Sequence, residues 1–285
     1  MGAPNAHPRQ PSHRVTPSPC HPVTPRRWRL APDHAVARLR IATYNIHRCC
    51  GLDRRTSPER IAEVLQSTRA DVMALQEVIG ASASHEGHAA WLGAALGMGW
   101  VMASTRRRRG HLFGNAVLSR FPIQHHTQYD LSWHQHREPR CCQRADISVD
   151  GPLLHFYNVH LGTSVLERRY QARRLATFVN DQRVSGPKLV LGDFNEWLRG
   201  LATATLSRLF QGVDIYAFLR RRRTYPGLFP LVHLDHIYYD GAIEVLDVEL
   251  IRTRLALVAS DHLPLVAEIR VRSDATERPR SGVSG

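Results

Sequence analysis

The 285 residues suffice for one large core, and a hydrophobic fraction of 43% is ordinary for a globular chain. The formal net charge of +13 is not ordinary, and nearly all of it is arginine, since Lys188 is the only lysine. No apolar run approaches the roughly 18 residues of a spanning helix, and the N-terminus lacks the apolar core of a signal peptide, so a cytoplasmic chain without a transmembrane segment is expected. Gly2 follows Met1, but Ala6 breaks the myristoylation pattern.

Arginine suits bidentate phosphate contact, which points to a polyanionic substrate. Coding bias and a solvated surface would give the same composition. The cysteines are Cys20, Cys49, Cys50, Cys141 and Cys142. An odd count with two adjacent pairs is no disulfide framework, and without CxxC spacing no zinc site is expected.

Residues 1–35 hold eight prolines among few apolar residues and read as a disordered Pro/Arg-rich tail. The folded part spans 36–272. Leu39 to Ile46 reads as a strand that delivers Asn45 and His47. Ser57-Pro58 opens a helix as N-cap and first helical residue. Asp71 to Leu75 is a buried strand delivering Gln76-Glu77. A helix covers about 86–96, Trp100 to Ala103 is a short strand, and the run Arg106 to Arg109 reads as a loop.

Leu112 to Leu118 is a strand containing Asn115, followed by the turn Phe121-Pro122 and a long polar stretch that includes Arg137-Glu138-Pro139-Arg140. Strands at Cys142 to Val149 and Leu153 to Val159 flank the turn at Asp150-Gly151-Pro152, and the second delivers Asn158 and His160. Leu166 to about Asn180 is a helix with Tyr170, Leu175, Phe178 and Val179 inward. Lys188 to Leu191 is an apolar run ending in Gly192-Asp193-Phe194-Asn195, a buried strand opening into a polar site. A helix near 198–209 precedes Arg220 to Arg223 and Thr224-Tyr225-Pro226. Strands follow at Leu234 to Tyr239, which carries Asp235, at Ile243 to Ile251, and at Leu265 to Val271, the last preceded by Ser260-Asp261-His262. Residues 273–285 read as a flexible tail.

The polar groups at these strand ends are mainly carboxylates, carboxamides and histidines. Oxygen ligands suit a hard cation such as Mg2+ or Mn2+, and histidines suit proton transfer or phosphate stabilisation. Beside arginines, this is the chemistry of phosphoester hydrolysis. Taken singly, each residue has a duller account: an Asn after a strand is usually a turn residue. Their joint occurrence in order is what carries weight.

Thr43-Tyr44-Asn45-Ile46, Leu75-Gln76-Glu77-Val78, Gly114-Asn115-Ala116-Val117-Leu118-Ser119-Arg120, Asn158-Val159-His160-Leu161, Gly192-Asp193-Phe194-Asn195, Leu234-Asp235-His236-Ile237 and Ser260-Asp261-His262 occur in that order. Over about 37–272 this resembles the endonuclease/exonuclease/phosphatase superfamily, which includes DNase I, abasic endonucleases, inositol polyphosphate 5-phosphatases and neutral sphingomyelinases. Leu166 to Gln171 and Arg223 to Pro226 resemble a bacterial metal-dependent hydrolase branch of it.

The resemblance implies an α/β fold: a four-layer DNase I-like sandwich of two mixed β-sheets packed face to face, with helices on the outer faces. It implies Glu77, Asn45 and Asp261 at a Mg2+ or Mn2+ ion. It implies catalytic roles for Asp193 on the attacking water, Asn195 on the scissile phosphate, His262 paired to Asp235, and His160 as an acid at the leaving group. Asn115, Arg140, Asn158, Arg223 and Tyr225 are the expected substrate contacts, with Arg137 a second choice to Arg140. Glu167, Arg168 and Gln171, on one helix, are expected to tie loops.

The activity expected is nuclease-like phosphodiester hydrolysis by a monomer acting on nucleic acid or another phosphoester. The alternatives are a phosphatase or phospholipid-headgroup phosphodiesterase in contact with an anionic membrane, and an inactive binding module that kept the fold.

Overall fold

The computed structural model describes residues 36–134, 136–197, 201–208, 210–212, 223–226 and 231–272. The tails expected at 1–35 and 273–285, Cys20, Arg220 to Arg222, and parts of the helix expected at 198–209 lie outside these residues.

In chain order the elements are β1 (Val36–Asn45), α1 (Pro58–Thr68), β2 (Val72–Ile79), α2 (His88–Leu96), β3 (Gly99–Arg108), β4 (His111–Ser119), β5 (Ile123–Asp130), β6 (Cys141–Ser148), β7 (Leu153–His160), α3 (Val165–Val179), β8 (Lys188–Asp193), α4 (Leu201–Leu206), β9 (Gln211–Gly212), β10 (Asp235–Asp240), β11 (Ile243–Leu250), α5 (Ala256–Ala259) and β12 (Leu265–Arg272). They form two mixed six-stranded sheets, ordered β11-β12-β1-β2-β4-β3 and β5-β6-β7-β8-β10-β9. A core containing Leu39, Ile41, Val72, Phe156, Leu189 and Ile237 lies between the sheets. The outer face of the first sheet carries α1, α2 and α5 over Tyr44, Leu75 and Leu118. The outer face of the second carries α3 and α4 over Tyr157, Val190 and Tyr238. This is the four-layer sandwich expected.

Period-two alternation decides where the site forms. The residues facing between the sheets are apolar along most of each strand and polar at one end. β1 reads Leu39, Ile41, Thr43, Asn45; β2 reads Val72, Ala74, Gln76; β7 reads Phe156, Asn158, His160; β8 reads Leu189, Leu191, Asp193. β1 and β2 are parallel, as are β7 and β8. β10 runs antiparallel to β8 and sets Asp235 opposite Asp193. The polar ends therefore gather at one rim of the core.

Four expectations need correction. The polar stretch after Pro122 contains β5, an edge strand whose residues are mostly exposed or half-buried, so it lacks the apolar alternation that marks a strand. Arg106 to Arg108 belong to β3 and pair with Phe113, Leu112 and His111, so the arginine run is a hairpin arm and not a loop. β2 continues through Gln76-Glu77 to Ile79, with a register shift between Leu75 and Val78. In α3, Leu175 and Val179 point inward as expected, whereas Tyr170 and Phe178 are half-buried and Glu167, Arg168 and Gln171 take buried positions. These three do tie loops: Gln171 accepts from Gly162 N–H at 2.8 Å and donates to Glu167 at 3.2 Å, while Arg168 donates to the carbonyls of Gly162 and Thr163.

At the other end of the second sheet lies a buried ionic network. Asp146 accepts from Arg144 at 2.7 and 2.6 Å and pairs with His155 at 2.7 Å; His155 reaches the Ser185 carbonyl at 2.8 Å. Burial works against the Asp146 carboxylate, but these partners outweigh it and hold its pKa well below the usual range. A carboxylate depressed on folding contributes stability above its unfolded pKa of about 3.9, and that contribution is lost as pH falls toward the folded value. Asp146→Asn is expected to cost about 3 kcal/mol at pH 7, read by urea denaturation, because it strands Arg144 and His155.

Candidate active site

β1 ends at Asn45, whose side chain makes the first crossing between the sheets. Its amide nitrogen donates to Asp193 Oδ2 at 3.0 Å and lies 3.5 Å from Glu77 Oε1, while its oxygen accepts from the His47 N–H at 3.0 Å. Asn45 thus orients Asp193, with one lone pair of its oxygen left for a further partner. Gly192 precedes Asp193 with φ +148°, and a Cβ there would lie 1.9 Å from the Val159 carbonyl oxygen, so only glycine allows this approach of β7. Asp193 is 1% exposed. Its second oxygen accepts from Asn195 N–H at 2.9 Å, and Asn195, at φ +50°, commits one amide proton to the Leu161 carbonyl.

His262 sits between two carboxylates. Nδ1 is 3.0 Å from Asp235 Oδ2 and Nε2 is 3.5 Å from Asp193 Oδ2. Burial pulls this imidazole down, but the two carboxylates outweigh burial and push its pKa up to about 10. Burial pushes Asp193 up to about 6 against the pull of His262 and Asn45. At neutral pH the arrangement is a His262 imidazolium beside the Asp193 carboxylate.

His160 approaches Asp193 from the other side, with Nε2 3.5 Å from Oδ2. Arg140 Nη1 lies 3.2 Å from His160 Nδ1. A guanidinium only donates, so Nδ1 accepts and the imidazole proton sits on Nε2. Burial first, then Arg140 and His262, hold His160 well below the usual histidine pKa. A neutral ring with Nε2–H is a hydrogen-bond donor; it does not carry the charge of a strong acid, which alters the acid role expected for it. Arg140, His160 and Asn115 line a small cavity, and the Arg140 Nε is buried without a partner, an unspent donor for an anion. Glu138 joins Arg140 at 3.5 Å to Arg106 at 2.8 Å.

Glu77 lies in the β2 bulge at φ +56°. The bulge turns it out of the alternation to face Asn45 and Arg48, whose Nη1 donates to Oε2 at 2.6 Å. Arg48 lies within His47–Cys49, three consecutive residues at φ 44°, 60° and 57°. Left-handed backbone costs non-glycine residues about 1–2 kcal/mol each, so the turn is strained. It is closed by Cys49 N–H to Ile46 O at 2.8 Å and Cys50 N–H to His47 O at 2.9 Å. Half-buried Asp261 accepts from Ser260 Oγ at 3.3 Å and lies 3.8 Å from His47 Nδ1.

Among the described residues no three His, Cys, Asp or Glu side chains converge closely enough to cage an ion by themselves. Mg2+ binds through one or two carboxylates and completes its octahedron with water and phosphate oxygens. Glu77, partly exposed beside the buried carboxylate of Asp193, fits this chemistry, with Asp261 and the free Asn45 lone pair as further oxygens.

The other expected contacts divide. The Tyr225 ring lies 5.0 Å from that of His262, at the mouth. Arg223 is exposed on the segment leading to it. Asn158 is fully buried: its amide donates to the carbonyls of Leu75 at 3.0 Å and Ala116 at 2.9 Å and to Gln143 at 3.3 Å, and it accepts from Gln76 at 2.8 Å. With its groups spent between the sheets, Asn158 is a cross-tie and not a substrate contact. Sequence reasoning missed Arg48, which falls in none of the motifs; its neighbourhood to Glu77 depends on backbone handedness that the sequence does not mark.

A model of the Endonuclease/Exonuclease/phosphatase family matches residues 42–262. The chain is 34% identical over 255 residues to the uncharacterized protein YbhP of Escherichia coli K12, covering 82% of this chain and 96% of that protein. Among solved structures, the mannosyl-6-phosphatase Bt3783 of Bacteroides thetaiotaomicron superposes with TM-score 0.63 at 20% identity, over 81% of this chain and 99% of its own. The human Nocturnin catalytic domain with bound sulfate superposes with TM-score 0.65 at 17% identity, over 83% and 96%. At these identities the likeness to the two structures is one of fold.

Proposed function

Because this chain belongs to the endonuclease/exonuclease/phosphatase family, whose members generally use divalent metals to hydrolyse phosphoester bonds, we propose that it is a phosphodiesterase acting on nucleic acid by direct attack of water. The observation that carries the reading is the convergence of Asp193 with Asn45, His262 and His160, drawn from both sheets within 3.5 Å of one carboxylate.

Glu77, with Asp261 and Asn45 beside it, would hold Mg2+ or Mn2+, which when bound supplies positive charge against the phosphoryl and leaving oxygens. Asp193, oriented by Asn45 and the Asn195 N–H, accepts the proton of the attacking water. The His262 imidazolium, held by Asp235, donates to a phosphoryl oxygen. His160 Nε2–H and Arg140 donate to the phosphate, as does the remaining Asn195 amide proton. The bond from water oxygen to phosphorus forms as the bond to the leaving oxygen breaks.

Nucleic acid is favoured by the arginine excess and by an open groove beside Arg140, where the Trp133 and His134 rings lie 4.3 Å apart next to His136 and Arg137. A second reading, a phospholipid-headgroup phosphodiesterase, is favoured by exposed Val165, Leu166 and Trp197 on the segments that follow β7 and β8. The complete carboxylate and histidine set argues against an inactive binding module. The test is a panel of DNA, RNA, anionic phospholipid vesicles and sugar phosphates with Mg2+ or Mn2+, with and without chelator. Chelator-sensitive cleavage of polynucleotide is expected. Intact polynucleotide alongside rapid release from a lipid or small phosphoester would overturn the nucleic-acid reading.

The pH profile tests the assignment of protons. kcat/KM is expected to fall in acid as Asp193 takes up a proton, at or below about pH 6 because a bound cation favours the carboxylate, and to fall in base near pH 10 as His262 loses its proton. An activity that rises with pH through 6.5 would instead mark an ordinary histidine as the base.

No helix among the described residues is long and apolar enough to cross a membrane.

A further inference from the structure

The left-handed turn at His47–Cys49 holds one side chain where the proposed reaction needs an ion. Arg48 donates to Glu77 Oε2 at 2.6 Å with Nη1, and its Nη2 contacts His47 Nε2. His47 Nδ1 lies 3.1 Å from the Cys50 carbonyl oxygen and so donates to it, which leaves Nε2 as the acceptor for Arg48. The guanidinium is therefore gripped at both terminal nitrogens. The turn that carries it is anchored by Ile46 N–H on the Gln76 carbonyl, the residue before Glu77. Both partners are partly buried, with side chains 28% and 20% exposed.

We propose that Arg48 is a tethered cation that occupies the metal carboxylate Glu77 in the metal-free protein and yields it to a divalent ion. This rests on the reading of Glu77 given above. The His262 imidazolium sits between Asp193 and Asp235, whereas the cation that meets Glu77 is Arg48. Left without a counter-cation, the Glu77 carboxylate is repelled by the other carboxylates of the site. Arg48 relieves that repulsion in the metal-free protein and, by the same charge, opposes an arriving divalent ion. Because the tether is part of the chain, it is at hand whenever the ion leaves. Arg48 is accordingly a positioning residue that sets the cation concentration at which the site fills.

The full chain, stripped with EDTA and dialysed, is titrated with MnCl2 by calorimetry as wild type, Arg48→Ala, Arg48→Gln and Arg48→Lys. Arg48→Ala and Arg48→Gln are expected to bind Mn2+ about tenfold more tightly than wild type, and Arg48→Lys, which keeps the charge, within about threefold of it. In EDTA the two neutral variants melt at lower temperature than wild type, and Mn2+ raises their Tm by more. Equal or weaker Mn2+ binding in both neutral variants, with wild-type binding abolished by Glu77→Gln, overturns this proposal alone. Failure of wild type to bind Mn2+, or binding unaffected by Glu77→Gln, overturns it together with the assignment of Glu77.

Discussion

Asp193→Asn is expected to lower kcat by about a thousandfold or more while the protein melts within a few degrees of wild type. Asp193 lies within 3.5 Å of Asn45, His160 and His262. Among the described residues it is the only carboxylate placed to take the proton of a water aligned on a phosphate between them. A general base typically contributes 10²–10⁴-fold. The amide keeps the size of the carboxylate and one carbonyl oxygen, which still accepts from Asn195 N–H while the bond from Asn45 to the other position is lost, a cost the fold survives; it cannot take a proton at working pH. The variant also removes a buried carboxylate whose pKa burial has pushed up to about 6, which offsets part of the cost of lost pairing. Circular dichroism and a melt establish folding, and single-turnover kinetics on the best substrate of the panel give the rate. Near wild-type turnover in folded Asp193→Asn would remove Asp193 from the role of base.

His262→Ala is expected to lower kcat by a comparable factor, about 10³, and Asp235→Asn by about 10². The double variant is expected to be no worse than His262→Ala. Asp235 has no route to the substrate in this geometry except through His262, which it meets at 3.0 Å while being itself fully buried. Its carboxylate keeps the imidazole charged. In Asp235→Asn the main force raising the His262 pKa to about 10 is gone, and the basic limb of the profile moves toward neutrality. The measurement is kcat across pH for the two single variants and the double. Independent, multiplying losses would show that Asp235 acts on the reaction by a path of its own.

Much of the candidate site was legible in the sequence because its polar groups follow strand alternation. Leu189, Leu191 and Asp193 share a face, as do Phe156 and His160, and the switch from apolar to polar along that face marks the rim of the core. What escaped was whatever breaks the alternation. Glu77 reads as a residue beyond a strand end, yet it sits in a bulge within β2, and a bulge leaves no sequence mark when the residue at positive φ is not glycine. β5 was invisible because an edge strand whose residues are all exposed or half-buried need not alternate. The arm Arg106 to Arg108 looked like a loop by charge alone, although Arg106 is held by Glu138 and stacks over Phe113 at 4.9 Å. Asn158 shows the opposite error: its place in a motif beside His160 suggested chemistry, and its burial gives it structure.

That buried amide has a mechanical meaning. The candidate catalytic groups come from two sheets that meet through an oily face, and apolar contact has no preferred registry, since burial is non-directional. Two such plates can slide with little penalty. Asn158 and Gln76 place directional bonds across the joint just beneath the rim, from the second sheet to Leu75, Gln76 and Ala116 in the first. Sliding would leave buried donors and acceptors unmet, at about 1–3 kcal/mol each. The tie works as a dowel: it fixes the alignment of the two plates, and so the 3.0 Å bond between Asn45 on one and Asp193 on the other.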